Sequence, residues 1–562
     1  MIEPRTINLS DKKWLPGEKN VVKGVKAAVS SDNAVVTYTM LKALEQGGNA
    51  VDAGIAGCMV QAALEPFMTN YTGTITFLFY HAKENKFYQL DSTGTFPADL
   101  PPHMPVPQGM GGYAAIAPRS VIPGFMPGIK ALYERFGTLP WESLCREAIW
   151  WAENGHHVSA FEYHVNHFAE DFVTFFPEGR KFFMPEGHFP LPGERFGSKE
   201  MAETLQRIAS EGPEYMITGQ WADHFIEKAN AMGWMIEKRH MTATPPRWIE
   251  PLRFKVRDYE IVSLAPPQQQ GVYLAIVLGV LDKLEIDKVD PYSAKHLFYM
   301  GHALKLAQQV CGYINDPHVL SFHTDMFLDD AFHAYLAEMI KGMVPKVDLS
   351  AHIRMTTGFS GRDGKVPTLH QNTWQKQPSG SCELSIVDAE GNWVQMMNTL
   401  QSGGIPGQVV DGIPMVGSHA LPNIQNTPIS YYQAEGARLR CVMGNTMVLK
   451  NGKPILQLGT PANVDVSVAQ VLCNYIFFGM EPYEAVCAPR MLALNESASL
   501  VIEDRISEEV QKELMALGVR MKVSKVWDYH MGSFQICYRD EKTGELCTIA
   551  DPRRCGVADG LR

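Results

Sequence analysis

Two hydroxyls and a glycine are the residues on which chemistry could be built. Ser381 to Asp388 and Asn392 to Leu400 are alternating runs on either side of a short polar turn containing Gly391, which predicts a β-hairpin with a three-residue loop. A turn centred on Glu390 pairs Ser381 with Thr399, since each lies nine positions from the centre. Directly opposed residues share a face, with Cβ atoms about 5 Å apart. One hydroxyl is thereby placed beside another on a rigid strand, where a nucleophile is best positioned. Gly380 precedes Ser381 and is expected to give the backbone unusual dihedral freedom and open access to its carbonyl. Cys382 is a rival nucleophile, but it sits one residue out of phase and points to the opposite face. From these residues alone, an ordinary hairpin with two hydroxyls on a wet face fits better than a catalytic pair.

Around the hairpin, the elements follow a layered pattern. Residues 1–23 are polar and read as an arm lying on the surface. Ala27 to Asp32 reads as a strand entering a helix cap. Ala34 to Glu45 and Asn49 to Leu64 read as a helix pair broken at Gly47-Gly48. Trp248 to Pro267 reads as a strand pair. Val272 to Leu284 reads as a helix apolar on nearly all sides, and so buried between layers. Residues 345–379 are rich in Gly, Lys, Thr, Gln and Pro and read as a mobile linker ahead of the hairpin. Val448 to Pro454 is a second tight hairpin. His156, His157, His164 and His167 cluster, with His164 and His167 on one helical face, but no carboxylate sits between them at helical ligand spacing. Surface or pocket-rim histidines are expected there and no metal site.

The 562 residues carry a net charge of −11, which argues against a nucleic-acid surface or an anionic membrane. An apolar share of 45% is enough for a sizeable core. The start of the chain lacks the charged-then-apolar pattern of a signal peptide, and no apolar run is long enough to span a bilayer. The ten cysteines form no CxxC pair, a pattern suited to reduced, buried thiols. A cytoplasmic protein is expected, without cofactor.

Ser385-Ile386-Val387-Asp388-Ala389-Glu390-Gly391-Asn392-Trp393-Val394 resembles the stretch that follows the catalytic threonine of γ-glutamyltranspeptidases. Other signatures of the same family are resembled, each at its own place, by Gly47-Gly48-Asn49-Ala50-Val51-Asp52-Ala53, Ser402-Gly403-Gly404, Gly459-Thr460-Pro461-Ala462-Asn463, Met531-Gly532-Ser533 and Ala550-Asp551-Pro552-Arg553-Arg554, in unbroken order over residues 24–562. The resemblance implies an α+β fold, the four-layer αββα sandwich of N-terminal-nucleophile hydrolases. It also implies self-cleavage between Gly380 and Ser381 into segments 24–380 and 381–562. Both would belong to one domain and stay associated, with a dimer of such pairs as one arrangement. The family's nucleophilic threonine falls on Ser381 and its supporting hydroxyl on Thr399, the partner given independently by the hairpin register. The oxyanion-binding glycines fall on Ala462 and Asn463, which keep the N–H donors but not the freedom of glycine.

The positions that would hold a glutamyl head group depart from the family. Thr93 stands where an arginine clamps the α-carboxylate, and no arginine occurs between Arg5 and Arg119. Cys441 and Val442 replace two serines, and Asn423 falls near an acidic residue that holds the α-amine; Gln401 completes the set of substrate-contacting positions. An unpaired buried charge costs several kcal/mol, on the order of 3–5. The expected reaction is therefore attack by Ser381 on a small-molecule amide whose acyl part is not a standard γ-glutamyl group. A true γ-glutamyl hydrolase or transferase, and an unprocessed, catalytically silent homologue, are the alternatives.

Overall fold

The computed structural model describes residues 2–97, 122–168, 170–174, 176–231, 235–319, 321, 323–343, 380–400, 407–415, 434–492 and 499–562. Gln401, Asn423 and the 345–379 linker lie outside the described residues. In chain order the strands of the two large sheets are β1 (Val22–Lys23), β2 (Ala27–Ser31), β3 (Thr74–His81), β4 (Lys86–Ser92), β5 (Arg247–Ile249), β6 (Leu252–Val256) and β7 (Tyr259–Ser263). After these come β8 (Ser381–Val387), β9 (Trp393–Thr399), β10 (Thr446–Lys450), β11 (Lys453–Gly459), β12 (Gln535–Arg539), β13 (Leu546–Ala550) and β14 (Val557–Leu561). One sheet runs β14-β2-β8-β9-β3-β4-β5 and the other β1-β13-β12-β11-β10-β7-β6. All pairs within both are antiparallel.

The first sheet is covered by helices α1 (Ala34–Glu45) and α2 (Ala50–Leu64). The second is covered by α3 (Gln270–Lys283) and α4 (Val464–Ile476), giving the four layers of an αββα sandwich. Helix α2 is buried on every side. It reaches the first sheet through glycines: a Cβ on Gly57 would lie 2.9 Å from Met40 Cγ and 3.2 Å from Leu384 Cδ1. Gly47 ends the first helix at φ +88°, a conformation natural to glycine. Asn49 and Asp52 then form a capping box at the start of α2.

The N-terminal arm departs from the expectation of a polar segment lying on the surface. Ile7, Leu9 and Trp14 are buried against the α1–α2 layer, because the polar run carries apolar residues at those positions. Among the described residues no helix is long and apolar enough to cross a membrane.

Candidate active site

The β8–β9 register pairs Ser381 with Thr399, as the spacing predicts. The loop is built by Asp388, whose carboxylate accepts N–H bonds from Glu390 and Asn392 at 3.0 Å and, across to α2, from Ala50 at 3.0 Å. Gly391 holds φ +83° there. The hairpin and the helix pair, far apart in sequence, are thus tied by one carboxylate. At the other end of the hairpin, Ser381 Oγ donates to Thr399 Oγ1 at 2.7 Å, and Thr399 Oγ1 donates to the Gly380 carbonyl at 2.8 Å. Ser381 Oγ, Thr399 Oγ1 and the Gly380 carbonyl form one chain of contacts.

Strand β2 stops pairing with β8 at Ser31 opposite Leu384, so that among the described residues the first residues of β8 have no strand neighbour on that side. Two side chains replace it. Asp32 accepts the Glu383 N–H at 2.9 Å, and Arg554 Nη1 donates to the Ser381 carbonyl at 2.7 Å. Since the Ser381 carbonyl faces away from β9, Ser381 and Thr399 are a non-hydrogen-bonded pair, the arrangement that brings side chains closest. Arg554 also lies 3.4 Å from Glu65 and 3.8 Å from Asp32. Burial pushes the Asp32 carboxyl up to about 6, against the pull of Arg554.

Gly380 is not in a left-handed conformation; its requirement is space. A Cβ there would lie 2.1 Å from Met68 Sδ and 3.0 Å from Met68 Cα. Cys382 packs in a separate cluster with Phe67, Met68 and Tyr529, its Sγ 3.6 Å from Glu65 Oε2 and 3.7 Å from Arg554 Nη2, and burial pushes its thiol well up.

Ser381, Glu383 and Ser385 face the second sheet. Gln457 Nε2 donates to Ser385 Oγ at 3.0 Å, and a Cβ on Gly459 would lie 2.1 Å from Glu383 Oε1. Two steps back along β8 match two steps forward along β11, which carries the progression to Ser381 and the turn 460–463. Ala462 and Asn463 hold φ +57° and +40°, and Asn463 caps α4 at the positive end of its dipole. Both residues thus adopt left-handed geometry without being glycine. The turn leans on the segment 530–533: Ser533 N donates to Thr460 Oγ1 at 2.6 Å and Asn463 Nδ2 to the His530 carbonyl at 2.7 Å.

Thr93 follows β4 on the same face of the first sheet, three strand spacings or about 14 Å from β8. It donates to the Leu439 carbonyl at 2.9 Å, and Arg438 Nη1 donates to the Thr93 carbonyl at 2.9 Å. An arginine therefore stands at this position in space although none is near in sequence. Its guanidinium also serves the Thr244 and Pro245 carbonyls and lies 3.7 Å from Asp91. Cys441 is buried, and its N–H donates to Gln268 Oε1 at 3.2 Å; Val442 packs at the edge of the main core. Of the histidines, His156 is buried and paired with Glu162 at 2.9 Å, not at a surface or rim. Asp32, Arg554 and Arg438 were not singled out by sequence reasoning. Arg554 stands in a matched motif, but 173 residues separate it from Ser381, and no local pattern reports that contact.

Two polar-lined antiparallel sheets between helical layers, with a hydroxyl at the start of an internal strand, define an N-terminal-nucleophile fold. A cephalosporin acylase from Bacillus halodurans has this fold: its crystal structure superposes with a TM-score of 0.79 at 21% identity, covering 97% of this chain and 98% of that one. The γ-glutamyltranspeptidase family profile matches residues 37–561, and the chain belongs to that family of N-terminal-nucleophile hydrolases and acyltransferases. Its relatives include a glutathione hydrolase proenzyme of Pseudomonas aeruginosa, 28% identical over 95% of this chain and 94% of that protein. An acylase ACY 1 proenzyme of Pseudomonas sp. strain SE83 is 25% identical over 97% of this chain and 96% of its own length.

Proposed function

We propose that the chain cleaves itself before Ser381 and then hydrolyses an amide through an ester on Ser381 Oγ. The observation that carries this is the run of contacts from Ser381 Oγ through Thr399 Oγ1 to the Gly380 carbonyl. In processing, Ser381 Oγ attacks the Gly380 carbonyl carbon while Thr399 donates to the developing oxyanion. The Gly380–Ser381 C–N bond breaks, the serine proton passes to the departing nitrogen, and water opens the ester to a Gly380 carboxylate. The freed α-amine, with an ordinary pKa of about 7.7–8, accepts the Ser381 proton in later turnovers and returns it to the leaving amine. Backbone N–H groups of Ala462 and Asn463 stabilise the substrate oxyanion at the positive end of α4. Substitution of serine for threonine removes only a methyl that stiffens χ1.

The acyl group is one without the free α-carboxylate and α-amine of a γ-glutamyl residue. The supporting observation is that the guanidinium at Thr93 is already engaged by three backbone carbonyls, and Cys441 with Val442 offers no hydroxyl. Among the described residues Arg438 Nε makes no hydrogen bond, the nearest carboxylate oxygen being Asp91 Oδ2 at 3.7 Å, and this free donor favours γ-glutamyl recognition as the second reading. An amide panel decides: turnover of simple acyl amides with glutathione left intact is expected, whereas glutathione turnover equal to the best amide overturns the assignment.

A further inference from the structure

We propose that the Asn463 side chain is a positioning device that locks the oxyanion turn in its left-handed conformation by hydrogen bonding to the 530–533 segment. The inference rests on the assignment of the Ala462 and Asn463 N–H groups as oxyanion donors. Two consecutive non-glycine residues hold positive φ here, a conformation that costs an ordinary L-residue roughly 1–2 kcal/mol. Asparagine tolerates it best among residues with a side chain. The amide adds an anchor, since Asn463 Nδ2 donates to the His530 carbonyl at 2.7 Å.

That carbonyl is itself fixed. Asp528 accepts the His530 N–H at 3.1 Å and lies 2.8 Å from its Nδ1, and Tyr529 packs into the apolar cluster behind β8 that holds Cys382. Arg490 Nη1 donates to the Met531 and Gly532 carbonyls, each at 2.9 Å, and Ser467 Oγ to Met531 at 2.9 Å. Gly532, at φ +90°, brings the segment so close that a Cβ would lie 2.7 Å from Thr460 Oγ1. The 530–533 segment is thus a rigid rail touching both the nucleophile's backing and the turn. Asn463 is the side chain that fastens the last residue before α4 to it.

The test uses processed protein and p-nitrophenyl acetate, a generic acylating ester that needs no knowledge of the natural acyl group. Wild type should show a burst as Ser381 is acetylated. N463G, which keeps the backbone conformation but loses the amide, should acetylate about fivefold more slowly, as expected for one neutral hydrogen bond. N463A, which loses both, should be slower still. The ester concentration that half-saturates the burst should not move in either variant, separating oxyanion alignment from general disorder of the site. Acetylation of N463G at or above the wild-type rate overturns the proposal, and N463G decides alone should N463A fail to fold. Wild type that is processed yet releases no p-nitrophenol above the uncatalysed rate strikes instead at the oxyanion assignment itself.

Discussion

At the scale of single residues, the account depends on how the first peptide of β8 is held. Thr399 touches both the Ser381 hydroxyl and the Gly380 carbonyl, the two groups that the proposed self-cleavage brings together. Thr399→Val keeps the shape and removes both contacts, and should slow self-cleavage by about 100-fold or more, the usual cost of losing an oxyanion donor; a time course of fragment formation reads this directly. Gly380→Ala meets Met68 backbone as well as sulfur. It should slow cleavage and destabilise the uncut chain by about 1–3 kcal/mol in denaturant titrations; equal rates and stability would remove the steric argument. Arg554→Ala strands the Ser381 carbonyl together with Asp32 and Glu65, and a loss of about 3–5 kcal/mol is expected.

At the scale of elements, helix α4 carries a titrating group beside the candidate oxyanion turn. Asp465 lies in its first turn, accepts a hydrogen bond from Gln269, and is pushed up to about 6 by burial. A carboxyl whose folded pKa exceeds its unfolded value favours the folded state while protonated, so its contribution falls as pH rises from about 4 to 6 and is flat above. Asp465→Asn cannot ionise. Its stability relative to the parent should therefore climb across that window and level off, and a constant difference from pH 4 to 7 would contradict the assignment. The hairpin and its register were legible because strand alternation and the turn residues are local. So was the helix pair, through its apolar spacing and the Gly47-Gly48 break. The ends of β8 were not: the partners that replace β2, Asp32 and Arg554, come from opposite ends of the chain. Arg438 illustrates the same limit, since it stands at Thr93 across 345 residues of sequence.

At the scale of the whole molecule, the two expected segments are interleaved in both sheets. Strand β8 pairs with β2, β9 with β3, β14 with β2, β10 with β7 and β1 with β13, each joining residues before Gly380 to residues after it. Cutting one peptide leaves all of these ladders intact, so the fragments should co-elute and unfold together. The N-terminal arm adds a clasp, with Gly17 N–H donating to the Pro552 carbonyl at 2.8 Å and Trp14 buried. Deleting residues 1–20 should lower the denaturant midpoint for release of the small fragment, and an unchanged midpoint would show that the arm carries no load. The most direct measurement is the intact mass of fresh protein beside Ser381→Ala. Self-cleavage before Ser381 predicts two fragments, the smaller beginning at Ser381, in wild type and a single chain in the variant. A single stable chain of 62.6 kDa in both would contradict the account, because no free α-amine would then exist to serve the nucleophile.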